Sequence, residues 1–144
     1  MESHENFKGI IGKYEEDGFP IIVRFVNEIP HDSVISSMPW FTVISWKYDG
    51  ATRNGMPPEL INIKMIELEK ALESVFWKNN ICRHAYNRTG NNLKEFNYYI
   101  TNRDEFMSQF NRVLKDHNPY PIEIVFYQDP EWNELHEIID DFTK

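Results

Sequence analysis

The side chains able to do chemistry in this chain are few and scattered. Its five histidines (His4, His31, His84, His117 and His136) form no His-Glu-x-x-His motif, and Cys82 is the only cysteine, so the common zinc signatures are missing. His136 and Asp140 stand one helical turn apart, a spacing that a surface polar pair explains without a metal. Cys82 and His84 are two residues apart, which places them on one face of a strand. A thiolate–imidazole pair there needs an exposed sulfur in contact with the ring, and a buried, inert cysteine is the plainer reading. Gly9-Ile10-Ile11-Gly12-Lys13 has the wrong spacing for a phosphate loop and falls inside a predicted strand. Glu69 and Glu73 share a helix face and read as solvated carboxylates. Arg88, with Arg83 and Lys94, borders a central hairpin and makes the one local basic cluster. These residues make no catalytic constellation, and neither cofactor nor metal is expected.

Composition narrows the class. The 144 residues suit one domain over 1–144, and 41% hydrophobic residues with 15% aromatics are ample for a core. A formal net charge of -8 argues against a general nucleic-acid binder, which needs clustered Lys and Arg, so direct nucleic-acid contact is not expected. The charge is uneven: residues 129–144 hold six acids and one base, a net of -5, while 78–115 hold seven bases and three acids, a net of +4. A single cysteine rules out an internal disulfide and suits a reducing compartment. The first residues lack the basic flank and apolar run of a signal peptide, and no apolar run approaches the roughly 18 residues of a membrane span. A cytoplasmic protein is expected. Asn87-Arg88-Thr89 matches a glycosylation sequon by chance.

The elements that must position these groups follow from periodicity. Residues 10–27 read as a hairpin around Asp17-Gly18, with residues 1–8 loosely ordered before it. Residues 29–39, with two prolines and three serines, read as a loop, and Phe41 to Tyr48 as a strand. Pro58 is placed to open a long helix whose stripe is Ile61, Met65, Leu68, Leu72 and Val75, widened by Leu60, Ile63, Ala71 and Phe76, and which ends near Asn79-Asn80. A second hairpin joins Ile81–Tyr86 to Leu93–Ile100. Asn102, with Glu105 three residues on, predicts a capped helix stopped by His117-Asn118-Pro119. Tyr120 to Trp132 then reads as a strand running into a helix capped by Asp129, with Pro130 at its first position. Trp132 should anchor that helix.

From residue 41 the order is β-α-β-β-α-β-α, so the expected class is α+β: a ferredoxin-like βαββαβ antiparallel sheet over 41–128, with an N-terminal β-hairpin extension and a C-terminal helix over 129–143. Helices should cover the face bearing Ile44, Trp46, Phe96, Tyr98, Ile100, Ile122, Ile124 and Phe126. Alternation leaves Phe41, Val43, Ser45, Lys47, Glu95, Asn97, Tyr99, Glu123, Val125 and Tyr127 on the other face, too apolar for a solvated surface. Three occupants are open: the chain's own hairpin or last helix, a second copy of the chain, or a ligand. Tyr99 and Tyr127 could also stack on RNA bases, but the glutamates beside them oppose it.

Four motifs occur in order: Gly18-Phe19-Pro20 leading to Arg24; Gly55-Met56-Pro57-Pro58-Glu59; Arg88-Thr89-Gly90-Asn91 with Glu95-Phe96-Asn97-Tyr98-Tyr99; and Tyr120-Pro121-Ile122-Glu123 through Asp129-Pro130-Glu131-Trp132. Together they resemble the bacterial domain of unknown function 695 family over nearly the full chain. The resemblance implies a bacterial, soluble, cytoplasmic protein and supplies no catalytic residues. It also implies, by association with domains similar to regulator of ribonuclease E activity B, an RNA-metabolism regulator acting by protein contact.

The leading expectation is a small, non-catalytic interaction or regulatory module. Its partner is a protein or a second copy, met through an open sheet face at Val43, Tyr99, Glu123, Val125 and Tyr127, with Arg88 nearby. The alternative is a small-ligand binder or an enzyme of unrecognised type, with a pocket between hairpin and helices near Arg24, Trp46, Arg83 or Tyr99.

Overall fold

The computed structural model of the chain describes residues 9–143, except for the side chains of 75–79. The expected order of residues 1–8, and the places of Val75 and Phe76 on the helix stripe, lie outside what is described.

The elements are β1 (Gly9–Glu16), β2 (Phe19–Val26), α1 (Asp32–Ser37), β3 (Trp40–Lys47), a 3-10 turn (Ala51–Arg53), α2 (Glu59–Asn79), β4 (Cys82–Gly90), β5 (Leu93–Ile100), α3 (Arg103–Val113), β6 (Ile122–Gln128) and α4 (Asn133–Thr143). The fold is α+β. All six strands form one sheet in the order β1-β2-β4-β5-β3-β6, with every neighbouring pair antiparallel. The N-terminal hairpin extends the sheet by pairing β2 with β4, as in Arg24 opposite Asn87. A ferredoxin-like sheet has four strands and this one has six.

Local signals explain most boundaries. Asn102 caps α3, its Oδ1 accepting from the Glu105 amide at 2.7 Å. Pro58 precedes α2, and Asn80 closes it in the left-handed conformation. Gly90 sits at φ 146, and a Cβ there would overlap the Pro20 carbonyl, so only glycine lets β2 approach the end of β4.

Three expectations need correction. The 29–39 segment is not all loop: His31 caps the short helix α1, its ring nitrogen accepting from the Ser33 amide. β4 runs on to Gly90, because pairing with β2 and β5 on both sides holds Asn87 to Thr89 extended; the turn is only Asn91-Asn92, both at positive φ. Leu60 and Ile63 do not widen the buried stripe of α2 but face outward, at 75% and 54% exposure.

Two layers of core result. α2 and α3 cover one face, packing Met65, Leu68, Leu72, Phe106 and Phe110 on Ile44, Trp46, Phe96, Tyr98 and Ile100, the face expected to be covered. Ile122, Ile124 and Phe126 pack partly buried against the same cluster. On the opposite face α1 and α4 close over Phe41, Ala85 and Tyr99 through Met38, Trp132 and Leu135. The far end of α4 packs Phe142 and Ile138 on Ile21, Val23 and Phe25 of the hairpin. No described helix is long and apolar enough to cross a membrane.

Candidate functional site

The face left without helices by α2 and α3 is only partly open. Its residues stand in rows across the sheet: Arg83, Tyr99, Phe41 and Tyr127; then Tyr86, Asn97, Val43 and Val125; then Arg88, Glu95, Ser45 and Glu123. The first row is sealed at its middle by a knot at the start of α4. Tyr99 stacks on Trp132 with ring centroids 4.0 Å apart and planes 3° from parallel. The Tyr99 hydroxyl donates to Asp129 Oδ2 at 2.7 Å and accepts from the Leu135 amide at 3.3 Å. Trp132 Nε1–H donates to the Met38 carbonyl at 2.9 Å, tying α4 to the end of α1.

Asp129 therefore caps α4, but not at the expected position. Residues 129–132 form a turn, Trp132 takes φ 59, and the helix begins at Asn133; the Asp129 carboxylate accepts from the Asn133 and Glu134 amides at 2.9 and 3.0 Å. That detour drops the indole into the sheet face instead of leaving it on the helix surface. Burial, together with the Asp129 carboxylate, pushes the Tyr99 hydroxyl far above the usual phenol range.

This geometry corrects two expected binding residues. Tyr99 is wholly buried, because α4 covers it, so no partner can meet it from outside. Arg88 is also buried and is no surface cation. Its guanidinium pairs with Glu16 at 2.8 Å and donates to the carbonyls of Gly90 and Leu93, so it closes the hairpin ends. Val125 and Tyr127, 41% and 54% exposed, and the exposed Glu123 do share one surface, beside half-buried Val43. They lie on or next to β6, an edge strand.

In the second and third rows Asn97 has no exposed surface, and its amide makes no close hydrogen bond among the described residues. Glu95 stands beside it. Burial pushes the Glu95 carboxyl up, while Arg88 and the nearby Asn97 amide draw it down. Glu134, on the first turn of α4, is pushed up by burial and by the charges of Glu137, Asp129 and Glu95. Both carboxylates act on Tyr86, whose hydroxyl burial raises first.

Under α2 lies a second polar group, one that periodicity did not reveal. Glu69 Oε2 accepts from Arg24 at 2.7 Å and from Asn87 Nδ2 at 2.6 Å, and Asn87 Oδ1 meets His84 Nε2 at 2.8 Å. Since the Asn87 amide donates to Glu69, its oxygen faces the ring, and His84 carries its proton on Nε2. Burial pushes the His84 imidazole down to about 4, so the ring is neutral near pH 7. Burial also lowers the Lys94 ammonium. Glu69 is thus a clamp between α2, β2 and β4 and not the solvated carboxylate expected; Arg24 is there, whereas Trp46 lies in the core. The signal was Arg24 and Asn87 at inward strand positions, and only strand pairing shows that they are neighbours.

Cys82 is buried, its thiol pushed well above the usual range by burial, as a structural cysteine should be. Among the described residues no three His, Cys, Asp or Glu side chains converge on a metal position.

No curated protein and no solved structure matches the chain. A family model does match, over residues 14–138, from the second half of β1 into α4 and so across all six strands and both faces just described. The chain belongs to that family, the family of unknown function DUF695.

Proposed function

We propose that this domain is a non-catalytic interaction module that docks through β6, with a second copy of the chain as its partner. The observation that carries this reading is the unprotected edge of β6. Edge strands of soluble proteins are normally blunted by charge, proline, bulges or cover. β1, at the other edge, carries Lys13, Glu15 and Glu16, and Phe142 packs over Gly12. β6 reads Ile-Glu-Ile-Val-Phe-Tyr-Gln, without lysine, proline or glycine, and exposes Val125 and Tyr127.

The strand is self-complementary about Val125. Antiparallel pairing of two β6 strands centred there sets Val125 against its own copy and Glu123 against Tyr127. The one charge of the strand then meets a hydroxyl and not its own like. The four strands β4-β5-β3-β6 with α2 and α3 are read as a ferredoxin-like unit, extended on the β4 side by the hairpin and left open on the β6 side. A reducing, cytoplasmic setting in a bacterium suits the family and the single buried thiol.

Light scattering tests this directly. The chain should run at twice its 17.3 kDa. Val125→Lys and Tyr127→Lys should each return it to a monomer without loss of folded structure. A wild-type monomer at concentrations near 100 µM, the upper part of the range in which specific but weak contacts form, would exclude self-pairing.

A further inference from the structure

We infer that the outward face of α2 is a second self-docking surface, at which two copies of the chain lay their α2 helices side by side and antiparallel. The starting point is a second apolar seam on this helix. Its inner stripe, Ile61, Met65, Leu68 and Leu72, advances in steps of four, three and four and packs into the core. The same steps recur two residues earlier in Glu59, Ile63, Ile66 and Lys70. Two residues turn a helix by about 200°, so this second row stands on the face opposite the core. Ile63 and Ile66 are 54% and 43% exposed there, and Leu60 beside them is 75% exposed. Alternating steps of three and four are those of a coiled-coil seam, and isoleucines in its middle are what such a seam buries. Among the described residues no element covers them.

The charges at the ends of the seam point to its occupant. Glu59 and Lys70 are both exposed, and among the described residues neither has an ion-pair partner. Glu67, next to the seam, is already taken by the Tyr120 hydroxyl at 2.6 Å. Two antiparallel copies facing across this row set Ile63 against Ile66 of the second copy and Glu59 against its Lys70, each twice by symmetry. A parallel pair instead sets Glu59 on Glu59 and Lys70 on Lys70, which like charge opposes. The contact is small: Glu59 to Lys70 spans about 16 Å of helix. It falls short of the roughly 800 Å² per partner of a stable dimer, so α2 alone leaves the chain monomeric at about 100 µM and pairs at about millimolar concentration. Val125 and Tyr127 lie on the other face of the sheet, so the two contacts do not compete. Where β6 pairs as proposed above, α2 joins those dimers into larger assemblies. That last step rests on the β6 reading; the α2 pairing itself does not.

Register-specific cross-linking of the whole chain tests this. The background is Val125→Lys, which is free of β6 pairing whether or not the wild type pairs there. Cys82 is buried, so an added surface cysteine is the reactive thiol. An equal mixture of Ile63→Cys and Ile66→Cys proteins at about 1 mM, under mild oxidation, should form the mixed disulfide about tenfold faster than an Asp140→Cys control, on α4 across the sheet, forms its own. Lys70→Glu in both proteins sets acid against acid and should slow the reaction to the control rate. Adding Glu59→Lys reverses the pair and should restore it. That rescue separates pairing across the seam from chance collision of exposed apolar residues. A mixture no faster than the control would overturn self-pairing and leave the seam to a helix of another protein. A rate that Lys70→Glu leaves unchanged, or a loss that Glu59→Lys does not rescue, would overturn the antiparallel register.

Discussion

Replacing Asp129 with alanine removes three hydrogen bonds at once, and the structure sets the size of the loss. The carboxylate takes the Asn133 and Glu134 amides and the Tyr99 hydroxyl. Loss of the cap should cost about 1 kcal/mol. The Tyr99 proton, wholly buried, is then left without an acceptor, at about 1–3 kcal/mol. Asp129→Ala should therefore destabilise the chain by about 2–4 kcal/mol in urea unfolding followed by fluorescence of the buried tryptophans. Asp129→Asn is a sharper probe of the same size, because its amide must turn a donor toward a donor. The test that separates the two parts is a double-mutant cycle. Tyr99→Phe removes the hydroxyl, so Asp129→Ala in that background should cost only about 1 kcal/mol, the cap alone. A single Asp129→Ala change within about 0.5 kcal/mol of wild type, or identical costs in both backgrounds, would refute the account of α4 docking through this knot.

Further outcomes follow from the other clusters. The His84 ring has a pKa of about 4 in the folded chain, against about 6.5 when unfolded. The unfolded state therefore binds the proton first, and this stability is complete above about 6.5 and drains away as pH falls toward 4. The ring keeps some contact with water, so about 2 kcal/mol is the upper bound for its share between pH 7.5 and 5. Glu95 and Glu134, both raised, work in the opposite direction, so the readout is the difference between wild type and His84→Gln in unfolding at the two pH values. Gly90→Ala should destabilise by more than about 2 kcal/mol, since it forces φ 146 on alanine and pushes against the Pro20 backbone; a near-neutral value in thermal unfolding would contradict the β2–β4 approach. Glu69→Ala leaves Arg24 and the buried Asn87 without their acceptor and should cost about 2–3 kcal/mol, with protection of β2 amides falling most in hydrogen exchange.

The periodicity of the chain was enough to set most of its elements and the two faces of its sheet. Period-two alternation in β3, β5 and β6 assigned Ile44, Trp46, Phe96 and Tyr98 to the face that α2 and α3 cover, because a one-residue slip would invert every side chain. Short-range chemistry also wrote itself into the sequence: Asn102 before α3, Pro58 before α2, Asp129 before α4. What local pattern could not decide was which segments meet. β4 reads as ending at Tyr86 until the hairpin pairs along its outer edge, and residues 29–39 read as loop until His31 starts a helix packed beside Trp132. The same limit hid how much of the candidate surface is covered. Tyr99 and Arg88 look available because alternation reports the face of a residue but not its cover; α4 buries the first, and Glu16, seventy-two residues away in sequence, claims the second. Val125 and Tyr127 stay exposed for the opposite reason, since among the described residues β6 is the last strand of the sheet on that side. Asn97, in turn, is an ordinary polar residue in the sequence, and only the placing of β5 between β3 and β4 buries its amide.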